Sequence, residues 1–128
     1  SLSRTLGVDP AFVYKRRDPK TGAVSLTGVN ADVRGKDVVL YDDMIRTGSS
    51  LIQAARAYRD AGAERCHAVA SHLVLPSGAL DRLRESGVID SVIGTDSHPG
   101  SQQLQHEAGA VRSIAGLVAR ALDMSNHR

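Results

Sequence analysis

The sequence predicts an α/β fold of three layers (αβα), with helices on both faces of a mainly parallel central sheet, in a single domain over 1–128. Three observations predict it. Short apolar runs alternate with amphipathic stretches, the pattern of consecutive βα units. Val38-Val39-Leu40-Tyr41 is continuously apolar, as in a strand buried on both faces. Only four residues are aromatic (Phe12, Tyr14, Tyr41 and Tyr58), so the core must be built from Val, Leu, Ile and Ala, which suit helices packed on a parallel sheet.

Each element has its own signal. Ser1–Leu6 read as the tail of a helix, and with no initiator Met the chain is expected to be part of a longer protein. Ala11–Lys15 is a short β-like run, followed by the charged loop Arg16–Gly22, which contains Asp18-Pro19. Val24–Val29 reads as a second strand, Arg34-Gly35-Lys36 as a turn, and Val38–Tyr41 as the third strand. Helical spacing begins near Ser49: Leu51, Ala55 and Tyr58, with Ala54 and Ala61, form an apolar stripe that stops at Gly62. The pattern then repeats, with a strand over Cys66–Ser71 and a helix capped by Ser77 that buries Leu80 and Leu83 and ends at Gly87. Val88–Ile93 is a further strand, followed by a loop through Thr95-Asp96-Ser97-His98-Pro99-Gly100 and a polar stretch to Gln105. Ala110–Ser113 is a last short strand. Ile114, Leu117, Val118, Ala121 and Leu122 make the stripe of a final helix.

Composition narrows the function classes. Hydrophobic residues make up 41% and charged residues 23%, which excludes a disordered tail. Sixteen basic against 14 acidic residues leave a net charge of +2, too slight an excess to imply nucleic acid. No apolar run approaches the roughly 18 residues needed to span a membrane. The single cysteine, Cys66, cannot form an internal disulfide, so a reducing cytoplasm is expected, with Cys66 a buried thiol. No Cys/His cluster has zinc spacing, and His67 and His72, five apart in one strand, point to opposite faces. His72 is expected to hydrogen-bond rather than act as a base, and His98, before Pro99, to serve a turn.

The informative stretch is Val38-Val39-Leu40-Tyr41-Asp42-Asp43-Met44-Ile45-Arg46-Thr47-Gly48-Ser49-Ser50-Leu51. An apolar strand delivers the chain to the carboxyl edge of the sheet, where α/β folds place ligands. Two adjacent carboxylates follow at the strand tip, suited to ligand hydroxyls or a hydrated Mg²⁺. Thr47-Gly48-Ser49-Ser50 then opens a helix: Gly48 lets backbone approach a ligand, free N–H groups attract an anion, and three hydroxyls add donors. Alone, an Asp-Asp pair is commonly a solvated turn and Thr-Gly-Ser-Ser a helix cap. Together, between a buried strand and a helix, they describe a sugar-phosphate site.

This segment resembles the phosphoribosyl pyrophosphate (PRPP) loop of the type I phosphoribosyltransferase fold. Other segments narrow the resemblance to the ribose-phosphate pyrophosphokinases, or PRPP synthetases. Lys15-Arg16-Arg17 is similar to that family's catalytic flexible loop, and Val69-Ala70-Ser71-His72 with Leu75, Ser77 and Gly78 resembles its Ala-Thr-His…Leu-Ser-Gly-Pro stretch. Thr95-Asp96-Ser97-His98-Pro99 stands where the family carries Thr-Asp/Asn-Thr-Ile-Pro. The resemblance covers about Leu6 to Leu122. It implies that Thr47, Gly48, Ser49 and Ser50 hold the phosphate of ribose 5-phosphate, and that Asp42 and Asp43 hold its hydroxyls and Mg²⁺; Arg46 is a further candidate for binding the sugar phosphate. It implies that Lys15 and Arg17 act in transfer of pyrophosphate from ATP, giving PRPP and AMP. It implies too that the chain is the C-terminal half of a longer, homo-oligomeric cytoplasmic enzyme whose N-terminal domain supplies most of the ATP site.

One departure bears on function. Arg46 stands where these synthetases usually carry Asp, exchanging a hydroxyl acceptor for a positive charge beside the phosphate. Two alternatives therefore stay open: a phosphoribosyltransferase that consumes PRPP, although no segment is large or aromatic enough for a base-binding hood, and a non-catalytic regulatory subunit of the same fold.

Overall fold

Parallel pairing organises the molecule. The computed structural model describes residues 2–11, 13–29 and 31–126, with the side chains of 13–16 and 24–27 outside the description. Chain order is α1 (Leu2–Leu6), β1 (Val13–Arg17), β2 (Val24–Val29), β3 (Asp37–Ile45), α2 (Ser49–Asp60), β4 (Arg65–Leu73), α3 (Ala79–Glu85), β5 (Ser91–Thr95), a 3-10 helix over Pro99–Leu104, β6 (Val111–Arg112) and α4 (Ala115–Asn126).

Strands β3-β4-β5-β6 lie side by side in that order, all parallel, so the α/β class with its parallel sheet is as expected. Each crossover carries a helix or helical turn, as a parallel strand pair requires. Register runs from Asp37↔Arg65 to Ile45↔Leu73 between β3 and β4, and from His67↔Ser91 to Ala70↔Gly94 between β4 and β5. Side chains alternate across the strands, so Leu40, Cys66, Ala68, Ala70 and Val92 line one face and are buried. Helix α2 belongs to the same core through Leu51, Ile52, Ala55 and Tyr58, at helical spacing along one side. Burying each of the larger side chains contributes roughly 1.5–3 kcal/mol. Small residues at the centre of the sheet let the helix come close: the Cys66 thiol donates weakly to the Ala55 carbonyl at 3.9 Å.

The opposite face is more open. Val39 is 59% and Tyr41 52% exposed on this face of β3, the edge strand of the sheet. The expectation that Val38–Tyr41 is buried on both faces therefore holds only for the Leu40 side.

Several boundaries differ from expectation. The chain predicted as a strand over Ala11–Lys15 and a loop over Arg16–Gly22 is instead a hairpin, with β1 antiparallel to β2 from Val13↔Val29 to Arg17↔Val24. Phe12 lies outside the described residues. The hairpin turn closes because Asp18 Oδ1 accepts from Lys20 N at 2.7 Å and the Asp18 carbonyl accepts from Gly22 N. Helix α3 is capped by Gly78 with φ of 82° and no side-chain bond, rather than by Ser77. The loop expected after Thr95 contains a 3-10 helix, where His98 Nδ1 accepts from Gly100 N at 2.9 Å. Helix α4 forms as predicted, but Leu117, Val118, Leu122 and Met124 on it are exposed.

Candidate functional site

Strand β3 continues four residues beyond its apolar run, because β4 pairs with it as far as Leu73. Asp42 and Asp43 are thus strand residues rather than a turn at the tip, and both are exposed. Alternation sends their side chains toward opposite faces of the sheet at its carboxyl edge. Two carboxylates so placed can bracket a ligand over the edge but do not form a ready-made metal cage. Among the described residues, no group of three or more His, Cys, Asp or Glu is arranged to hold a metal ion.

Residues 46–48 carry the chain from β3 to α2, and the carbonyls of Ile45, Thr47 and Gly48 around this connection are all hydrogen-bonded. The Ile45 carbonyl accepts from Val74 N and Leu75 N, both at 3.1 Å. The Thr47 carbonyl accepts from Arg82 Nη1 at 3.0 Å. The Gly48 carbonyl accepts from Ile52 N at 3.0 Å, the first bond of α2. The N–H groups of Gly48, Ser49, Ser50 and Leu51 are those that a helix start leaves without intrahelical partners. No side chain caps them. Thr47 Oγ1 donates to Ser49 Oγ at 3.4 Å, which holds two hydroxyls beside these amides.

Gly48 has φ of +81°, a left-handed conformation that suits glycine, and it is buried. A second left-handed residue braces the loop from behind. Leu75, φ 44° and 2% exposed, is held by its N–H bond to Ile45 and by its carbonyl, which accepts from Gln103 Nε2 at 2.9 Å. A non-glycine residue there costs on the order of 1–2 kcal/mol, met by burial of its side chain.

The neighbouring strand ends carry a hydroxyl and imidazole network. Tyr41 Oη and Ser71 Oγ are 2.9 Å apart, and His72 Nδ1 and Ser97 Oγ 2.6 Å apart. Thr95 Oγ1 and Ser97 Oγ both donate to the Ser71 carbonyl, at 2.6 and 3.1 Å. His72 and His98 have the hydrogen-bonding and turn roles expected of them, and Cys66 is fully buried, with burial pushing its thiol pKa up.

The structure thus brings together Asp42, Asp43, Arg46, Thr47, Gly48, Ser49 and Ser50 at one edge of the sheet. Arg46, Thr47, Ser49 and Ser50 are exposed there. Arg17 stands apart on the hairpin, exposed, with no hydrogen bond or ion pair to residues 46–50 among the described residues. The backbone of Lys15 belongs to β1, and its side chain lies outside the description. Sequence reasoning missed Arg82 and Gln103 and named Leu75 only within a motif; their support of the loop comes through tertiary contacts. A cleft of about 840 Å³ lies elsewhere, between α1, residues 31–33 and the outer edge of β3, and contains none of residues 42–50. Its lining is mostly apolar, which does not suit a phosphate.

A parallel sheet flanked by helices, with exposed carboxylates and a helix start at its carboxyl edge, defines an α/β class of domain that places ligands at that edge. The chain belongs to the phosphoribosyl synthetase-associated domain family, whose model matches residues 5–124. It is 38% identical over 113 residues to the ribose-phosphate pyrophosphokinase of Caldanaerobacter subterraneus, covering 88% of this chain and 35% of that protein. It is 41% identical over 124 residues to that of Vibrio parahaemolyticus, covering 95% and 39%. Its structure superposes on the crystal structure of phosphoribosylpyrophosphate synthetase from Mycobacterium smegmatis with a TM-score of 0.78 and 32% identity, over 98% of this chain and 39% of the other. The chain therefore spans little more than a third of the length of these relatives. Among the described residues, no helix is long and apolar enough to cross a membrane.

Proposed function

We propose that this chain binds ribose 5-phosphate or PRPP through residues 38–51 and is the C-terminal, sugar-phosphate part of a ribose-phosphate diphosphokinase. The observation that carries the reading is the uncapped start of α2: no side chain caps the amides of 48–51, while the carbonyls of Ile45 and Thr47 are bonded from outside the segment and that of Gly48 by Ile52 N of the helix itself. The 5-phosphate sits on those amides and on the hydroxyls of Thr47, Ser49 and Ser50, with Arg46 adding charge. The ring hydroxyls reach Asp42 and Asp43.

In the full-length enzyme the 1-hydroxyl oxygen of ribose 5-phosphate attacks the β-phosphorus of ATP. The bond from that phosphorus to the α,β-bridging oxygen breaks, AMP departs with the electron pair, and the hydroxyl proton is lost, which leaves PRPP. Either exposed carboxylate, Asp42 or Asp43, would offer Mg²⁺ a hard oxygen ligand, and an ion that keeps several waters and takes substrate oxygens needs no full protein cage. Mg²⁺ would neutralise phosphate charge. Lys15 and Arg17 would close over the transferring group from the hairpin and offset its charge. An N-terminal domain would supply most of the ATP site, and the enzyme would be a cytoplasmic homo-oligomer.

Titration calorimetry of ribose 5-phosphate into the chain, with and without Mg²⁺, tests the reading. Saturable binding that weakens at least tenfold in Asp43→Asn, with the melting temperature unchanged, is expected. No heat from a folded wild-type chain contradicts it.

A further inference from the structure

Residues 47 and 48 are gripped by two consecutive residues of α3. Arg82 Nη1 donates to the Thr47 carbonyl at 3.0 Å across 35 residues of sequence, and the Leu83 side chain packs directly beneath Gly48. Because a trans peptide is planar, its C=O and N–H point in opposite directions. Tying the Thr47 oxygen toward α3 therefore turns the Gly48 N–H away from α3, to the side where the amides of Ser49 and Ser50 begin the next helix. Rotation of this peptide would replace a donor with a carbonyl dipole directed at the anion. Gly48, with no Cβ, has few intrinsic restraints against that rotation.

We propose that Arg82, which belongs to neither the strand nor the loop, is a positioning residue for the phosphate cradle: its bond to the Thr47 carbonyl holds the Thr47–Gly48 peptide with its N–H facing the ligand. This rests on the reading of residues 46–50 as a sugar-phosphate loop. The planar guanidinium suits the task better than an ammonium would, because its donors are fixed in direction. Arg56 provides an internal comparison. It lines the same cleft between α2 and α3, of about 630 Å³, and carries the same charge, but makes no hydrogen bond or ion pair among the described residues. Removing Arg56 takes a positive charge from the cleft without untying the loop.

The test compares Arg82→Met, Arg82→Lys and Arg56→Met by two readouts: the dissociation constant for ribose 5-phosphate, and the ¹⁵N order parameters of Gly48 and Ser49 in the ligand-free chain. Arg82→Met is expected to weaken binding about tenfold. It should also lower the Gly48 order parameter from roughly 0.85 to below about 0.7. The melting temperature should be unchanged, Arg82→Lys should recover part of both losses, and Arg56→Met should weaken binding less than about threefold with the loop still rigid. Order parameters that do not change in Arg82→Met, or affinity no lower than in Arg56→Met, overturn the proposal. If the wild-type chain fails to bind ribose 5-phosphate, the sugar-phosphate reading falls, and the order parameters alone then uphold or overturn the role of Arg82 in orienting the peptide.

Discussion

Gly48 and Leu83 are in contact so close that a Cβ on the glycine would stand 2.6 Å from Leu83 Cδ2 and 2.8 Å from its Cγ. Leu83 is fully buried and cannot easily move aside. The turn from β3 into α2 is thus seated on the hydrophobic core rather than suspended above it, so a change at residue 48 acts on stability as well as on the proposed site.

Gly48→Ala should accordingly lose about 2–4 kcal/mol in urea unfolding. The left-handed backbone accounts for about 1–2 of this and the overlap with Leu83 for the rest. In the Gly48→Ala, Leu83→Ala pair the overlap disappears. The double variant should be more stable than the sum of the single losses implies, by about 1 kcal/mol or more. Strict additivity would show that the two residues do not share this space.

Arg46 follows the last β3 residue and is exposed beside the cradle. Arg46→Asp replaces a positive with a negative charge near a dianionic ligand, so affinity for ribose 5-phosphate should fall roughly tenfold at 0.05 M salt and less at 0.3 M. In the full-length enzyme the same change distinguishes catalytic from regulatory roles. Increased PRPP formation would mark the natural chain as a member that has lost turnover.

The amino end of the sheet carries an independent electrostatic feature. Arg65 Nε donates to Asp37 at 3.1 and 3.2 Å, and His67 Nε2 lies 3.4 Å from the same carboxylate. Desolvation opposes ionisation of Asp37, but the hydrogen bonds from Arg65 and His67 and their charges outweigh it, holding the carboxyl below its ordinary value of 3.8. A group whose folded-state pKa is depressed stabilises above its unfolded value, and that contribution disappears as the pH falls through the folded one. Asp37→Asn should therefore lower the melting temperature slightly at pH 5–7 and leave it unchanged well below pH 3, both partners being exposed. An equal loss at every pH would assign the effect to packing.

The alternation of apolar runs and amphipathic stretches made the α/β order and helix α2 legible, because parallel strands and a core-facing helix impose their periods on the residues. Lys15-Arg16-Arg17 were harder to place. Charged residues in an antiparallel hairpin follow no burial pattern, so the strand there could not be told from a loop. Asp42 and Asp43 look like turn residues, yet tertiary pairing with β4 keeps them in the strand. Ser77 is a better cap by propensity than Gly78, but the chain enters α3 in a left-handed conformation that glycine adopts, so the cap falls one residue later. The carboxylates, the glycine and the hydroxyls of the candidate site are local to one segment, so their juxtaposition was legible. Arg82 and Leu75 act on that segment from 35 and 30 residues away, and only the folded chain brings them there.

The central claim is that the amides at the start of α2 receive the phosphate of a phosphosugar. Its most direct measurement is an NMR titration of the ¹⁵N-labelled chain with ribose 5-phosphate, with ribose and inorganic phosphate in parallel. The account predicts saturable shifts concentrated at Gly48, Ser49, Ser50 and Leu51. Ribose 5-phosphate should also move Asp42 and Asp43, inorganic phosphate should move the loop alone and more weakly, and ribose alone should do neither. Shifts elsewhere, or none at these amides at millimolar ligand, would contradict it.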